Sequence, residues 1–338
     1  MKITNITTQK MSIPLKTPFI TALRKVYNVE FVRVTLSCSN GFVALGEAPA
    51  TVAITGEDLD TITHAIKNIT KELLTHTPKE ALQILHDNSM KSSAKAALDM
   101  ALVSLLAQEK GISLAKYLGA KDINTLQTDI TISLNSVDKM LHDTQEAISN
   151  KMNILKVKLG GDIYHAIKVT QEISCRFPEV KIVVDANQAW SLQESLLFVK
   201  TMKKTPIELI EQPVKANMLK ELKTITNATH IPILADESAF TLEDVKQIVE
   251  SKSADMINIK LMKCGGLTKA VEILEYAREK EVFCMLGSML EGPISINAAV
   301  SLAFAYSDVI KYIDLDSPLL YKNPSKELEF NFSGGFIS

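Results

Sequence analysis

The chain has 338 residues, 46% of them hydrophobic and 22% charged, with a formal net charge of −2. That length is enough to bury a substantial core and suits one large domain plus a smaller one, or two of similar size. Near-neutral charge and the lack of an apolar run long enough to cross a bilayer exclude a strongly basic surface and a membrane-spanning helix, so neither nucleic acid nor membrane is expected as a partner.

The N-terminal residues alternate apolar and polar positions over 2–13, which predicts a first strand rather than the continuous apolar stretch of a signal peptide. Residues 29–37 alternate again, and Asn40-Gly41 signals a hairpin into a strand over 42–47. Helical periodicity then places Leu59, Ile62, Ala65, Ile66, Ile69 and Leu73 on one face of 58–74, behind Asp58 at the start. An Ala- and Leu-rich helix is predicted over 92–109, with Ser92 or Ser93 as its cap. Residues 1–122 therefore read as an α+β capping domain, completed by the C-terminal segment 318–338.

From about residue 125 short β-branched runs alternate with amphipathic helical stretches. The runs are 128–134, 153–158, 180–185, 207–211, 232–236, 255–260, 282–287 and 310–314, with helices predicted over 162–177, 191–203, 241–251 and 267–280. Eight such units predict an α/β fold, a (β/α)7β TIM-like barrel over 123–317. No glycine-rich phosphate turn favours a doubly wound sheet instead. The four cysteines, Cys38, Cys175, Cys264 and Cys284, form no C-x-x-C pair and are expected to be reduced thiols of a cytoplasmic protein.

A charged residue closes run after run. Lys158, Asp185, Glu211, Asp236 and Lys260 are separated by 27, 26, 25 and 24 residues, the length of one βα unit. In a parallel barrel these ends converge on one face, where active sites form. Three converging carboxylates need a cation to offset their repulsion, and oxygen-only ligation without His or Cys points to Mg²⁺ rather than Zn²⁺. Lys158 and Lys260 fall on the second and sixth strands, on opposite sides of the metal strands. That arrangement serves removal of a proton from one face of a carbon and its return from the other. Lys156 lies two residues before Lys158 and projects to the same interior.

The series Lys156-Val157-Lys158, Asp185-Ala186-Asn187, Glu211-Gln212-Pro213, Ala235-Asp236-Glu237-Ser238 and Asn258-Ile259-Lys260 with Gly265-Gly266 resembles the enolase superfamily over most of the chain. The resemblance implies that Asp185, Glu211 and Asp236 hold one Mg²⁺ per subunit and that Lys158 and Lys260 are the acid/base pair. The paired lysines, and a seventh run without histidine, place the resemblance in the muconate lactonizing enzyme subgroup. That subgroup includes cycloisomerases, o-succinylbenzoate synthases, N-acylamino acid racemases and dipeptide epimerases, and fold alone does not choose among them. Asp314-Leu315-Asp316 resembles the D-x-D motif with which dipeptide epimerases hold a substrate ammonium. Arg24, within Thr21–Tyr27, resembles the arginine of a closing loop that receives a glutamate side chain. Thr131, Ser288, Met289 and Leu290 match further substrate-contact positions, and Lys156 would assist the metal at the substrate carboxylate. The expectation is an isomerase that epimerises dipeptides at the C-terminal residue, L-Ala-D-Glu to L-Ala-L-Glu, and assembles as a homo-oligomer. Gly265-Gly266 reads as a turn, Trp190 as packing at the mouth, and the six histidines as solvent-facing.

Overall fold

The computed structural model describes residues 1–22, 24–122 and 125–338. Leu23 of the Thr21–Tyr27 segment, and Ile123 at the expected domain boundary, lie outside the described residues. The N-terminal part is a three-stranded antiparallel sheet of β1 (Ile3–Ile20), β2 (Lys25–Cys38) and β3 (Val43–Pro49), in that order. The helices α1 (Val52–Thr55), α2 (Leu59–Leu73), α3 (Pro78–Asp87), α4 (Ser92–Glu109) and α5 (Leu114–Tyr117) follow. β1 is longer than its alternation suggested, because a register irregularity between Pro14 and Phe19 lets it continue past the proline and pair Phe19 with Val26. Asp58 caps α2 through a reciprocal bond with Thr61. The expected cap of α4 is corrected: Lys91 occupies the cap position and makes no side-chain cap bond, while Ser93 and Ala94 donate their backbone N–H groups to Glu57. A buried carboxylate from a preceding turn thus replaces the serine, and most of α4 is buried. That helix needs cover on both sides, and it packs between β3 and the second domain.

The second domain is announced by β4 (Leu126–Gln127) and built from β5 (Ile130–Ile132), α6 (Val137–Ser149), β6 (Ile154–Lys158), α7 (Ile163–Arg176), β7 (Lys181–Asp185), α8 (Leu192–Thr201) and β8 (Ile207–Glu211). It continues through α9 (Leu219–Ala228), β9 (Ile233–Ala235), α10 (Leu242–Ser251), β10 (Met256–Ile259), α11 (Leu261–Cys264), α12 (Leu267–Glu279), β11 (Cys284–Gly287), α13 (Pro293–Ala305) and β12 (Ile310–Asp314). After α14 (Ser317–Leu320), the tail strands β13 (Phe332–Ser333) and β14 (Phe336–Ile337) pair with β4. β5 to β12 form one parallel sheet in sequence order, a nearly closed barrel. The ends meet where Asp129 N donates to Ile313 O at 3.0 Å and Leu315 N to Thr128 Oγ1 at 3.0 Å.

Strand alternation divides this barrel into two materials. Leu155, Val157, Ile182, Val184, Ile210, Ile233, Ile257, Ile259 and Leu286 face the helices and join the main core. Inside the barrel, Val183, Leu209, Leu234, Met256 and Met285, with Ile154 and Tyr312, form a separate apolar plug. The next inward position toward the C-terminal end is polar on these strands, save β11, where it is Gly287. A dry floor under a charged rim follows directly from the order of residues along each strand.

The tail serves both units: Leu15 bridges Tyr321 and Lys322 N donates to Pro14 O at 2.8 Å, whereas β14 pairs with β4 at the foot of the barrel. His86 corrects the expectation for the histidines. It is largely covered, with Nε2 2.8 Å from Asp99, whose other oxygen accepts from Thr268 N at the start of α12. Gly265-Gly266 is a turn, as expected, because a Cβ on Gly266 would lie 2.4 Å from Asp99 Oδ1. No disulfide joins the four cysteines. Among the described residues no helix is long and apolar enough to cross a membrane.

Candidate active site

Lys158, Asp185 and Glu211 end β6, β7 and β8, and Asp236 and Lys260 stand one residue past β9 and β10. Register puts Lys158 beside Asp185 and Asp185 beside Glu211, so the charges expected to converge do so. In the eight-strand ring β6 and β10 are four places apart, hence on opposite walls. The loops that follow are braced by the motif residues. Gln212 accepts from Asp236 N (2.9 Å) and Ser238 N (3.1 Å) and donates to Val214 O (2.9 Å) and Ser238 Oγ (2.8 Å). Gln212 and Asn187 both adopt left-handed backbone, with φ of 36° and 44°. That conformation is costly for residues with a Cβ and persists where surrounding bonds over-determine it. The glutamine of E-Q-P thereby locks the serine of D-E-S.

A cavity that opens to solvent sits over this rim. Its walls include Lys158 and Lys260, Asp236, Thr131, Ser288, Met289, Leu290, Asp314 and Asp316, and from the capping unit Arg24. Lys156, Asp185 and Glu211 lie beneath it, fully buried. Lys156 Nζ is 2.6 Å from Glu211 Oε2, 2.6 Å from Asp314 Oδ2 and 3.4 Å from Asp185 Oδ2. Lys158 donates to Asp185 Oδ2 and Lys260 to Asp236 Oδ2, each at 2.6 Å. Lys263 donates to Asp236 Oδ1 at 2.6 Å, and Asn258 Nδ2 to Glu211 Oε1 at 2.8 Å. Gly287 makes room for this packing, since a Cβ there would lie 2.8 Å from Asn258 Oδ1 and 3.0 Å from Lys260 Cε. Phe19, Ala53, Ile54, Asn187 and Glu237 also line the cavity and were not singled out from the sequence. Glu237 belongs to the Ala235-Asp236-Glu237-Ser238 motif, and its neighbour Asp236 is the one sequence signal for it. Trp190 donates Nε1–H to Gly160 O at 2.9 Å and stacks on Phe198, which is a packing role.

Seven carboxyl groups are buried at this mouth, from Asp129, Asp185, Glu211, Asp236, Glu237, Asp314 and Asp316, against four buried lysines, Lys156, Lys158, Lys260 and Lys263. The imbalance shows in their titration. Burial and the Asp185 charge push Glu211 up to about 7, and burial with Asp236 and Asp185 pushes Glu237 up to about 8. Asp236 also bears the cost of burial, but the ammoniums of Lys260 and Lys263 outweigh it and hold the group below the usual range. Both oxygens of Glu237 and the Oε2 of Glu211 have no hydrogen bond among the described residues, although the latter touches Lys156. An excess of buried oxygen donors, some without a hydrogen-bond partner among the described residues, fits a hard divalent cation such as Mg²⁺.

The remaining polar walls divide the cavity chemically. Asp314 and Asp316 form an acidic corner on β12 and the turn after it, with Thr131 N donating to Asp316 Oδ2 at 2.7 Å. Burial, and then Asp314, pushes Asp316 up to about 6. Across from them Arg24 is mostly buried. It forms no ion pair with a described residue, and desolvation lowers its pKa from the ordinary arginine value. A buried guanidinium without a counter-ion is a receptor for a carboxylate.

Residues 139–338 match the enolase C-terminal domain-like family, and residues 3–119 the mandelate racemase / muconate lactonizing enzyme N-terminal domain. The chain is similar to an L-amino acid-D/L-Glu epimerase of Sulfurimonas denitrificans, 59% identical over 99% of this chain and 98% of that one. It is 40% identical to the L-Ala-D/L-Glu epimerase of Bacillus subtilis, over 100% of this chain and 94% of the relative. Its fold matches the substrate-liganded structure of the Bacillus subtilis epimerase with a TM-score of 0.94, covering 100% of this chain and 96% of that chain. It also matches, with a TM-score of 0.93 and 30% identity, a dipeptide epimerase from Enterococcus faecalis V583 complexed with Mg and L-Leu-L-Tyr, covering 100% and 97% of the two chains.

Proposed function

Because the chain belongs to the mandelate racemase / muconate lactonizing enzyme family of the enolase superfamily, we propose that it is a dipeptide epimerase of the L-Ala-D/L-Glu kind, an isomerase inverting the α-carbon of the C-terminal residue. The observation that carries this reading is the pair of lysine amines, Lys158 and Lys260, on opposite walls of one cavity that also holds an acidic corner and a guanidinium without an ion pair among the described residues.

In this reading Asp185, Glu211 and Asp236 hold Mg²⁺, which supplies charge to the substrate α-carboxylate and makes the α-hydrogen more acidic. Lys158 and Lys260 exchange that proton, one acting as base and the other as acid on the opposite face. Lys156, which links Glu211 to Asp314 from below, belongs to the carboxylate end of the substrate. Asp314 and Asp316 receive the free ammonium, and Arg24 the glutamate side chain. Thr131, Ser288, Met289 and Leu290 complete the walls around the peptide. The name of the 59% identical relative supports latitude at the N-terminal residue of the dipeptide. The proposal includes a capping domain over 1–122 completed by 318–338, a barrel over 123–317, a homo-oligomeric state and a cytoplasmic location.

The test is proton NMR of L-Ala-L-Glu and L-Ala-D-Glu with the enzyme and Mg²⁺ in D₂O. Loss of the Glu α-proton signal together with interconversion of the epimers is expected. Its absence for both epimers overturns the substrate assignment. Exchange that survives replacement of both lysines by alanine overturns their role.

A further inference from the structure

Asp129, like Glu237, is a buried carboxyl of the mouth to which the proposed reaction assigns no task. It precedes β5, is fully buried, and neither of its side-chain oxygens has a hydrogen bond among the described residues. Four bonds stitch its segment to the D-x-D turn. Thr128 Oγ1 donates to Ile313 O (3.2 Å) and accepts from Leu315 N (3.0 Å), Asp129 N donates to Ile313 O (3.0 Å), and Thr131 N donates to Asp316 Oδ2 (2.7 Å). These bonds flank Asp129 and fix its backbone beside the turn. Oxygens of Asp129, Asp314 and Asp316 all lie within 4.8 Å of one another.

The surrounding charges cannot support three carboxylates. Lys156 is the ammonium in contact with Asp314, at 2.6 Å, and it is equally close to Glu211. A further ionised carboxyl at this distance, without a donor of its own, would be repelled by Asp314 and unsolvated. Adding a proton to Asp129 resolves both problems at once, because it removes one charge and creates a donor aimed at a neighbouring acceptor.

We infer that Asp129 carries a proton and donates it in a hydrogen bond to Asp314, acting as a positioning residue for the ammonium subsite. Asp314 is then held from behind by Asp129 and Lys156, and the subsite offers the substrate two negative charges rather than three. The titration of the two groups agrees. Burial, reinforced by the Asp314 charge, pushes Asp129 well above the usual carboxyl range. Asp314 also bears a burial cost, but the ammoniums of Lys156, Lys158 and Lys260 outweigh it and keep the group low. The ligand's identity rests on the dipeptide reading, whereas the protonation of Asp129 does not.

Two variants test this. In Asp129→Asn an amide replaces the acid as donor. In Asp129→Leu the branched shape is kept, with bulkier methyls in place of the two oxygens, and the donor is lost. With L-Ala-L-Glu, the Asn variant is expected to keep KM within about threefold of wild type, and the Leu variant to raise it about tenfold or more with a smaller fall in kcat. Independently, infrared difference spectra at pH 8 between wild type and Asp129→Asn, both with Mg²⁺ and no substrate, are expected to show loss of one protonated carboxylic-acid C=O band. If the difference spectrum shows a carboxylate band lost instead, Asp129 is ionised and the inference is overturned. It is also overturned if the Asn variant is as impaired as the Leu variant, or the Leu variant is unimpaired. Should Asp129→Leu fail to fold, the infrared comparison decides alone. A wild-type enzyme inactive on every free-amine dipeptide, with the acid band present, would sink the dipeptide reading and leave the protonation standing.

Discussion

Glu291 offers a quantitative check on the electrostatics of the cavity wall. It follows Leu290, is 1% exposed, accepts from Met289 N at 2.8 Å and from the Ser295 hydroxyl, and its backbone carbonyl accepts from Tyr321 Oη at 2.5 Å. Burial pushes its carboxyl from 4.5 up to about 7 despite those bonds. Between these two values the native state binds a proton that the unfolded chain releases, so this group's contribution to stability is intact below about pH 4.5 and is lost as pH rises towards 7. Each pKa unit is worth about 1.4 kcal/mol, so the loss is about 3 kcal/mol. Glu291→Gln keeps the acceptor for Met289 and a polar partner for Ser295 but cannot ionise. Urea unfolding at a series of pH values from 4.5 to 8 is the assay. The two proteins are expected to be near-equal in stability at the acid end, and the variant to gain on wild type steadily to about 3 kcal/mol at pH 8. A constant difference across that range would refute the assignment of a buried, protonated carboxyl, and a variant that loses ground as pH rises would reverse its sign.

Two further outcomes follow from the cavity's geometry. Arg24→Met is expected to raise KM for L-Ala-L-Glu by about tenfold to a hundredfold, the loss of one charge-assisted contact, while KM for L-Ala-L-Ala changes by less than about threefold, as steady-state kinetics on both would show. Gly287→Ala is expected to displace Asn258 and Lys260, whose atoms lie 2.8 and 3.0 Å from the added Cβ. It should cost about 1–3 kcal/mol in stability, and about a hundredfold in α-proton exchange for the epimer that uses Lys260 as base, with a smaller loss for the other epimer. Equal losses for both epimers would remove Lys260 from its assigned face.

The periodicities read from the residues were local properties, and locally they held. Asp58 capped α2 where expected, and eight β-branched runs became the eight strands of the barrel. Where the reading failed, a long-range partner had intervened. The serine cap of α4 was displaced by Glu57, about thirty-five residues upstream, and His86 was drawn from solvent by Asp99. Helix α3 carries its own local signals, a reciprocal Thr77–Glu80 cap and a proline at its start.

By itself the order of residues determined the spacing of Lys158, Asp185, Glu211, Asp236 and Lys260, because one βα unit has a characteristic length and each strand end inherits the same place in the ring. Which of those groups faces the cavity and which lies beneath it was decided only by tertiary structure. Lys156 sits lower because it stands two residues before Lys158 on β6, whereas Asp185 and Glu211 are covered by side chains from neighbouring strands, Lys156 and Lys158 on Asp185 and Lys156 and Asn258 on Glu211, contacts that no single strand encodes. Asp129 makes the same point. Nothing in Thr128-Asp129-Ile130 marks a catalytic neighbourhood, and its two carboxylate neighbours lie about 185 residues away in sequence. Closure of the barrel brought them together, and their mutual repulsion exists only in the folded chain.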